Sequence, residues 1–394
     1  MASSARLMDI REAFLEARTD IERALYSDLE APAVRASWIS LEGTLSPTEA
    51  LERIGSVAGI DGGSALEEAN LGQKVFAVSS AAAVFKAGSK PEELRVYQVG
   101  VIDFFKAEDR VRIYRETLEA RIAAYVAITG RARLILLDGS IEANLIAEPV
   151  FKAVVPGRYA GLDNDEGEDI LREFEKIMRG IPLHSILRVV TASPAVQKEV
   201  EEAAYRVVGE EDEGEYRKPL LAVSAMERLE QGVSITALIS AAKASGITLV
   251  SVAKRSSARS HFQSMRPDIA LVQRFTRGPG YTKPRIQDVP VSGYILRAAS
   301  RLLGEDVEGN IVLTTLYARL ADGAAPLRIE LIGTPTQGEI ENLLETLAGI
   351  SVWGYPYPLR RAHELAKIGR ADLEAGLRAI GFLPEMTGRE ALGE

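Results

Sequence analysis

The chain has 394 residues, 46% apolar and 26% charged, with a formal net charge of −9 and no cysteine. That length holds one large core or two domains, and the composition is that of an ordinary globular protein. The charge argues against a protein that coats nucleic acid indiscriminately, and the missing cysteines exclude disulfides, thiolate–zinc sites and a cysteine nucleophile.

Residues 5–30 place Leu7, Ile10, Phe14, Leu15, Ile21 and Leu25 on roughly one face of a predicted helix. Residues 1–40 are expected to be an N-terminal helical segment ahead of one domain over 41–394. Met1 to Arg18 mixes charges and lacks the apolar block of a signal peptide. No apolar run approaches the ~20 residues of a membrane span. The expectation is therefore a cytoplasmic protein without a membrane partner. The absence of cysteine is also compatible with a thermophile.

Strands are predicted at 56–61, 74–85 and 94–105, the last two joined by a Gly88-Ser89-Lys90-Pro91 turn. A helix over 107–128 and a strand over 133–138 follow. Helices at 166–180 and 193–208, with the acidic loop Glu210 to Glu215, suggest a helical insertion at about 150–219. Two helices, 220–230 and 234–244, precede a strand over 247–253 that ends on Lys254. Residues 255–290 read as one long loop. Strands 310–320 and 326–333 pair through Asp322-Gly323, and helices 336–349, 358–368 and 371–380 close the chain. Three strands, a helix and a further strand match the opening of the ribonuclease H topology. The expected class is α/β, a ribonuclease H-like mixed sheet flanked by helices, with a helical insertion.

Two apolar strands end on the same acidic turn, Gly59-Ile60-Asp61-Gly62-Gly63-Ser64 and Leu136-Leu137-Asp138-Gly139-Ser140. A single Asp-Gly pair is ordinarily a hairpin turn. Two copies after apolar strands, both followed by serine, point instead to carboxylates at the tips of central strands. Glu116 and Glu119 sit three apart on the helix between them. The plain alternative for both is a solvated face paired with Arg115 and Arg121. Glu119 is preferred, because Ala120, Ala123 and Ala124 would let the helix lie close to the sheet; Glu116 remains the alternative. Three carboxylates at one sheet edge suit Mn²⁺ or Mg²⁺ and the two-cation hydrolysis of a phosphodiester. Asp61 would then bridge two cations, with Asp138 and Glu119 each holding one.

His363 lies on the first turns of a helix opened by Pro358, after Gly354-Tyr355-Pro356-Tyr357. A lone histidine on a helix is more often structural, but this approach suits a site at a helix entry. Lys254, Arg255, Arg259, Arg266, Arg274, Arg277, Lys283 and Arg285 stand against one acid, Asp268, in the loop. Phe262, Phe275 and Tyr281 interleave with them, a pattern that suits stacking of single-stranded bases. The plain alternative is that Phe262 and Phe275 pack beneath the loop.

Taken in order from about residue 55 to 368, these motifs resemble the NurA family of archaeal and bacterial repair nucleases. The resemblance implies a ribonuclease H-like fold and Mn²⁺-dependent degradation of DNA from 5′ ends, with single-strand endonuclease activity, in end resection at double-strand breaks. It implies a homodimer docked on the hexameric ATPase HerA. It places Asp61, Asp138 and a helical glutamate as metal ligands, His363 as a further active-site residue and Lys254 at a substrate phosphate. The preference for DNA at Lys254, Arg255, Arg259, Arg274, Arg277, Lys283 and Tyr281 rests on the same resemblance. The apolar face of the N-terminal helix is a candidate partner contact, or packs on its own core. Two rivals share the core: an actin-like phosphotransferase and a non-catalytic adaptor. Against the first, no glycine-rich phosphate cradle follows Asp138-Gly139-Ser140; against the second stand Asp61, Asp138 and His363.

Overall fold

The computed structural model describes residues 10–25, 31–43, 45–69, 73–146, 152–155, 158–161, 164–209, 218–304 and 307–381. It opens with α1 (Ile10–Leu25), α2 (Ala31–Ser37), β1 (Trp38–Ser40) and α3 (Pro47–Ile54). Ser46 and Glu49 form a capping box at the start of α3, with Pro47 as its first residue. Three long strands follow, β2 (Ser56–Ala69), β3 (Gln73–Lys86) and β4 (Glu92–Asp103). Next come α4 (Ala107–Ile128), β5 (Leu134–Asp138) and α5 (Ile141–Ile146). The short strands β6 (Lys152–Val155) and β7 (Arg158–Gly161) precede α6 (Asn164–Met178), α7 (Pro194–Val208) and α8 (Lys218–Ala244). Then come β8 (Thr248–Ala253), α9 (Asp268–Phe275), β9 (Gly280–Thr282), β10 (Arg285–Pro290) and α10 (Gly293–Leu303). After β11 (Asn310–Arg319), β12 (Leu327–Ile332) and α11 (Gln337–Gly349), the hairpin β13 (Ser351–Val352) and β14 (Tyr355–Pro356) leads into α12 (Tyr357–Ala366) and α13 (Arg370–Ala379).

Ten strands form one sheet in the order β1-β9-β11-β12-β8-β5-β2-β3-β4, with β10 on β11. At its centre β2, β5 and β8 run parallel, while β3 is antiparallel to β2 and to β4. The order β4-β3-β2-β5-β8 is the ribonuclease H arrangement that the sequence led us to expect.

Strand alternation sorts the core into two layers. Ala58 and Ile60 of β2 and Ile135 of β5 pack with Ala120, Ala123 and Ala124 of α4 and with Leu229 and Val233 of α8. Val57 and the flanking Leu134 and Leu136 face the other way, against Leu344 and Leu347 of α11 and Leu359 of α12. Phe174 of α6 and Val200 of α7 join the first layer. Buried ion pairs at 2.7 Å, Arg110–Glu227 and Arg121–Glu230, tie α4 to α8 and fix how α4 is rotated. Arg121 is thus committed to α8 and is not a solvated partner for the α4 glutamates.

Several elements depart from the sequence reading. β2 does not end at Asp61 but runs eight residues further, to Ala69, paired throughout with β3. The two helices expected around Gly232 are one, because Gly232 is where α10 presses on α8; a Cβ there would stand 2.5 Å from Ile295 Cδ1. The segment 255–290 holds α9, β9 and β10, elements of three to eight residues, too short to show a period. β1, within the segment expected to be helical, pairs with β9 at the end of the sheet. Ile10, Phe14 and Leu15 of α1 are exposed and do not pack on the core; Leu7 and the acidic run 210–215 lie outside the described residues. Among the described residues no helix is long and apolar enough to cross a membrane.

Candidate active site

The glycines around Asp61 make room for two helices, one on each face of β2. A Cβ on Gly59 would stand 2.2 Å from the Pro358 carbonyl carbon, and one on Gly63 would stand 2.1 Å from the Ala366 carbonyl oxygen. No side chain fits at either position, so α12 rests directly on the strand. Asp61 lies between them on the same face, and His363 of α12 meets it, Nδ1 to Oδ2 at 2.7 Å. On the opposite face a Cβ on Gly62 would stand 2.3 Å from Glu119 Oε1. The bare glycine therefore admits the Glu119 carboxylate onto the strand beside Asp61. Glu116 points elsewhere, accepting a hydrogen bond from the Gln231 amide of α8.

Asp138 reaches the same place from β5. The parallel ladder between β2 and β5 ends at Ile60 and Leu137, and the two aspartates are the next residue on each strand. β5 then breaks at Gly139, whose φ of 133° suits only glycine. Lys254, at the end of β8, donates to Asp138 Oδ2 at 2.7 Å, and its ammonium also lies 4.6 Å from the Tyr355 ring centroid. Glu330 of β12, almost fully buried, holds the turn that follows. It accepts from Ser140 Oγ and from the Ile141 N–H at 2.7 Å each, from the Glu142 N–H at 3.2 Å and from Ser251 Oγ at 2.7 Å. Arg328 pairs with it at 2.9 Å.

Burial raises the pKa of Asp61, and the charge of Asp138 adds to that; the Gly62 N–H and His363 pull it back. Burial also lifts Glu119 well above the usual carboxylate range. Arg115, paired with it at 3.3 Å, offsets part of that rise, while Asp61, Glu116 and Asp138 reinforce it. Burial and the charges of Asp138 and Asp61 push the Tyr355 phenol upward too, and its hydroxyl lies buried beside Asp138 without a partner of normal hydrogen-bond geometry.

Each carboxylate is turned to its own partner, the His363 imidazole, Arg115 or Lys254, and among the described residues no three His, Asp or Glu side chains close into a ready metal cage. The donor set nevertheless fits a hard divalent cation. It offers carboxylate oxygens without thiolates, near enough to disfavour one another's charge, and an orphaned hydroxyl alongside.

The basic segment folds otherwise than the sequence suggested. Tyr281 is fully buried in β9, between β1 and β11, and donates to Glu341 Oε1 at 2.8 Å, so it offers no face to a base. Phe262 and Phe275 pack against Val34, Leu271, Val272 and Tyr317. Arg255, Arg259, Arg277 and Lys283 are exposed, and Arg274 lies half-buried with its guanidinium 5.0 Å from the Phe275 ring. The aromatics go under and the cations stay out. Tyr355 and Glu330 were not singled out from sequence. The available sign for Glu330 was a glutamate flanked by Ile329 and Leu331 within a predicted strand.

Residues 55–368, from β2 through α12, match the NurA domain family. The chain belongs to the NurA family. It is 34% identical over 145 residues to the DNA double-strand break repair nuclease NurA of Sulfurisphaera tokodaii, a stretch that spans 37% of this chain and only 40% of that relative's length. A longer match to NurA of Sulfolobus acidocaldarius is 23% identical over 372 residues, covering 93% of this chain and 91% of the other. The crystal structure of the NurA nuclease from Sulfolobus solfataricus shares the fold, with a TM-score of 0.64 and 19% identity over 95% of this chain and 97% of that one. So does a structure of NurA bound to dAMP and manganese, with a TM-score of 0.61 and 15% identity, covering 95% of this chain and 96% of that one.

Proposed function

We propose that this NurA-family chain is a metal-dependent deoxyribonuclease that cuts single strands internally, degrades DNA from 5′ ends and serves end resection at double-strand breaks. The observation that carries the reading is the meeting of Asp61 and Asp138, on adjacent parallel strands, with Glu119, admitted over Gly62. The relatives, DNA double-strand break repair nucleases, support the substrate. A relative crystallised with manganese and dAMP supports the cation and the nucleotide.

Asp61, Glu119 and Asp138 would hold Mn²⁺ or Mg²⁺, two ions in this reading; when bound, such ions supply hydroxide at neutral pH and stabilise the departing oxygen. The chain's own residues do the rest. His363 orients the Asp61 carboxylate through Nδ1. Lys254 carries its ammonium to the Asp138 end of the site and is free to neutralise a substrate phosphate once Asp138 takes another partner. The Tyr355 hydroxyl supplies an uncommitted donor beside Asp138. Arg255, Arg259, Arg277 and Lys283 offer cations to the rest of the strand. A homodimer working with a HerA-type hexamer completes the proposal.

An actin-like phosphotransferase fits less well. Gly62 and Gly63 lie inside a paired strand closed over by Glu119 and the α12 backbone, which leaves no loop to cradle a phosphate. The deciding experiment incubates labelled single- and double-stranded DNA with the purified protein in Mn²⁺, Mg²⁺ or chelator. Cleavage that needs the divalent cation is expected. ATP hydrolysis without any DNA cleavage would overturn the reading in favour of the phosphotransferase.

A further inference from the structure

The chain contains two tryptophans, and they sit in opposite settings. Trp38 packs beside the cluster around Leu271 and Tyr317. Trp353 is 87% exposed. It occupies the turn between β13 and β14, where Val352 pairs with Tyr355 and Trp353-Gly354 form the two-residue loop. Both loop residues have positive φ, 56° at Trp353 and 77° at Gly354. Such a loop favours Asn-Gly or Asp-Gly, and a bulky residue in the left-handed region is disfavoured. Packing does not offset that cost, since the indole stands in solvent. Observed strain at an exposed residue is a pointer to function.

The position supplies the function. Trp353 is two residues from Tyr355, whose hydroxyl lies buried beside Asp138, so at 3.8 Å per step the two Cα atoms are less than about 8 Å apart. Gly354 seats the hairpin on the turn after β11, since a Cβ there would lie 2.3 Å from Ala324 Cβ. The Arg360 guanidinium stands 5.9 Å from the indole centroid, and Lys254 stands 4.6 Å from the Tyr355 ring. An exposed indole beside Arg360, on the hairpin whose Tyr355 lies against Lys254 and Asp138, matches how single strands are held: backbone charge is met by cations and unstacked bases lie on aromatic faces.

We propose that Trp353 is the platform on which a base of single-stranded DNA stacks as its backbone reaches the carboxylate site. This rests on the deoxyribonuclease reading above. It also assigns the stacking role to a residue outside the basic segment, where Tyr281 is buried.

The test uses a Trp38→Phe protein, so that fluorescence reports Trp353 alone, titrated with oligothymidylate in chelator. Saturable quenching is expected. Read by the anisotropy of a labelled oligothymidylate, Trp353→Ala should weaken binding about fivefold or more, while Trp353→Phe keeps most of it. In Mn²⁺, Trp353→Ala should raise KM for a single-stranded oligonucleotide and leave kcat at saturation unchanged. The melting temperature should not fall, because the indole touches solvent. Unaltered binding and KM in a variant that still cleaves DNA would overturn the proposal and leave the nuclease reading standing. Unaltered binding with loss of the parent's oligomeric state would make Trp353 a protein contact and also overturn it. No cleavage by the unsubstituted protein with any divalent cation would sink both.

Discussion

The imidazole of His363 and the carboxylate of Asp61 meet at 2.7 Å, Nδ1 to Oδ2, across the contact between α12 and β2. Gly59 and Gly63 allow that contact by letting the helix backbone touch the strand on either side of the aspartate. In the proposed site His363 would act through Asp61, holding Oδ2 while the Gly62 N–H holds Oδ1 at 2.7 Å, so that the carboxylate is fixed in direction. Asp61→Asn should abolish cleavage, whereas His363→Ala should lower activity or Mn²⁺ affinity roughly 10- to 100-fold, the usual cost of losing a partner behind a metal ligand. A manganese titration of initial rates distinguishes the two, and full activity in His363→Ala would remove the histidine from the site.

The two glutamates of α4 should separate cleanly. Glu119 lies over Gly62 beside Asp61, while Glu116 is taken up by Gln231 of α8. Glu119→Gln is therefore expected to be inactive. Glu116→Gln should keep its activity within a few-fold and lose about 1 kcal/mol of stability at most, the net worth of an ordinary hydrogen bond. The reverse pattern in a cleavage assay would mean that α4 is rotated in solution.

Without metal, the crowded carboxylates should cost stability as pH rises. Burial first, then neighbouring negative charge, raises the folded-state pKa of Asp61 and of Glu119 above their ordinary values of 3.8 and 4.5. The folded state therefore holds protons that the unfolded chain has released. The stability these groups contribute is fully present below those ordinary values and is lost as pH rises through the higher folded values. Melting temperature in chelator should fall over that range. Asp61→Asn or Glu119→Gln should flatten the decline and melt level with or above the parent at neutral pH. Added Mn²⁺ should stabilise the parent and not the variants, a comparison that thermal melts at a series of pH values make directly.

Glu330 should matter more to the fold than any of these. Its carboxylate joins β12 to Ser251 of β8 and to the Ile141 N–H away from water, and to the half-buried Ser140 of the turn after Asp138. Glu330→Ala would leave Arg328 with Glu142 as its remaining carboxylate and would orphan several buried donors. The expected loss is about 3–5 kcal/mol by chemical denaturation, as for breaking a buried ion pair from one side. A loss under about 1 kcal/mol would show that water replaces the carboxylate.

The legible part of this molecule was whatever repeats locally. Helix α4 falls at 107–128 as expected, and β3, β4, β5 and β8 are within two residues of expectation at each end. Asp61, Asp138 and Glu119 were legible as residues, but the setting of Asp61 was not. Asp-Gly-Gly has the composition of a turn, and only contacts with Pro358 and Ala366, some 300 residues away in sequence, turn it into an extended strand with a helix on top. Gly232 misled in the same way, by marking a close helix contact where a break was expected. In the basic segment, alternating cations and aromatics gave no sign of which side would face solvent. That was decided by the pairing of β9 with β1 and β11, which buries Tyr281.

The exposed cations of that segment carry the last prediction. Arg277 and Lys283 flank β9, and Arg255 and Arg259 follow Lys254 away from the carboxylates. Asp268, fully buried at the start of α9, orders the loop by accepting the His261 and Phe262 N–H groups at 3.0 Å each. The cations are thus displayed on a fixed surface in a chain whose net charge is −9. Each cation that meets a phosphate releases condensed counterions, so neutralising one should lower the log–log salt slope of single-strand binding by up to about 0.7. Replacing Arg255, Arg259, Arg277 and Lys283 together by glutamine should therefore weaken binding most at low salt, and the parent and variant curves should converge as salt rises. Removing Trp353 should shift the whole curve without changing its slope, because stacking releases no counterions. Fluorescence titrations at several salt concentrations read both quantities, and an unchanged slope in the quadruple variant would mean that this surface faces away from the DNA.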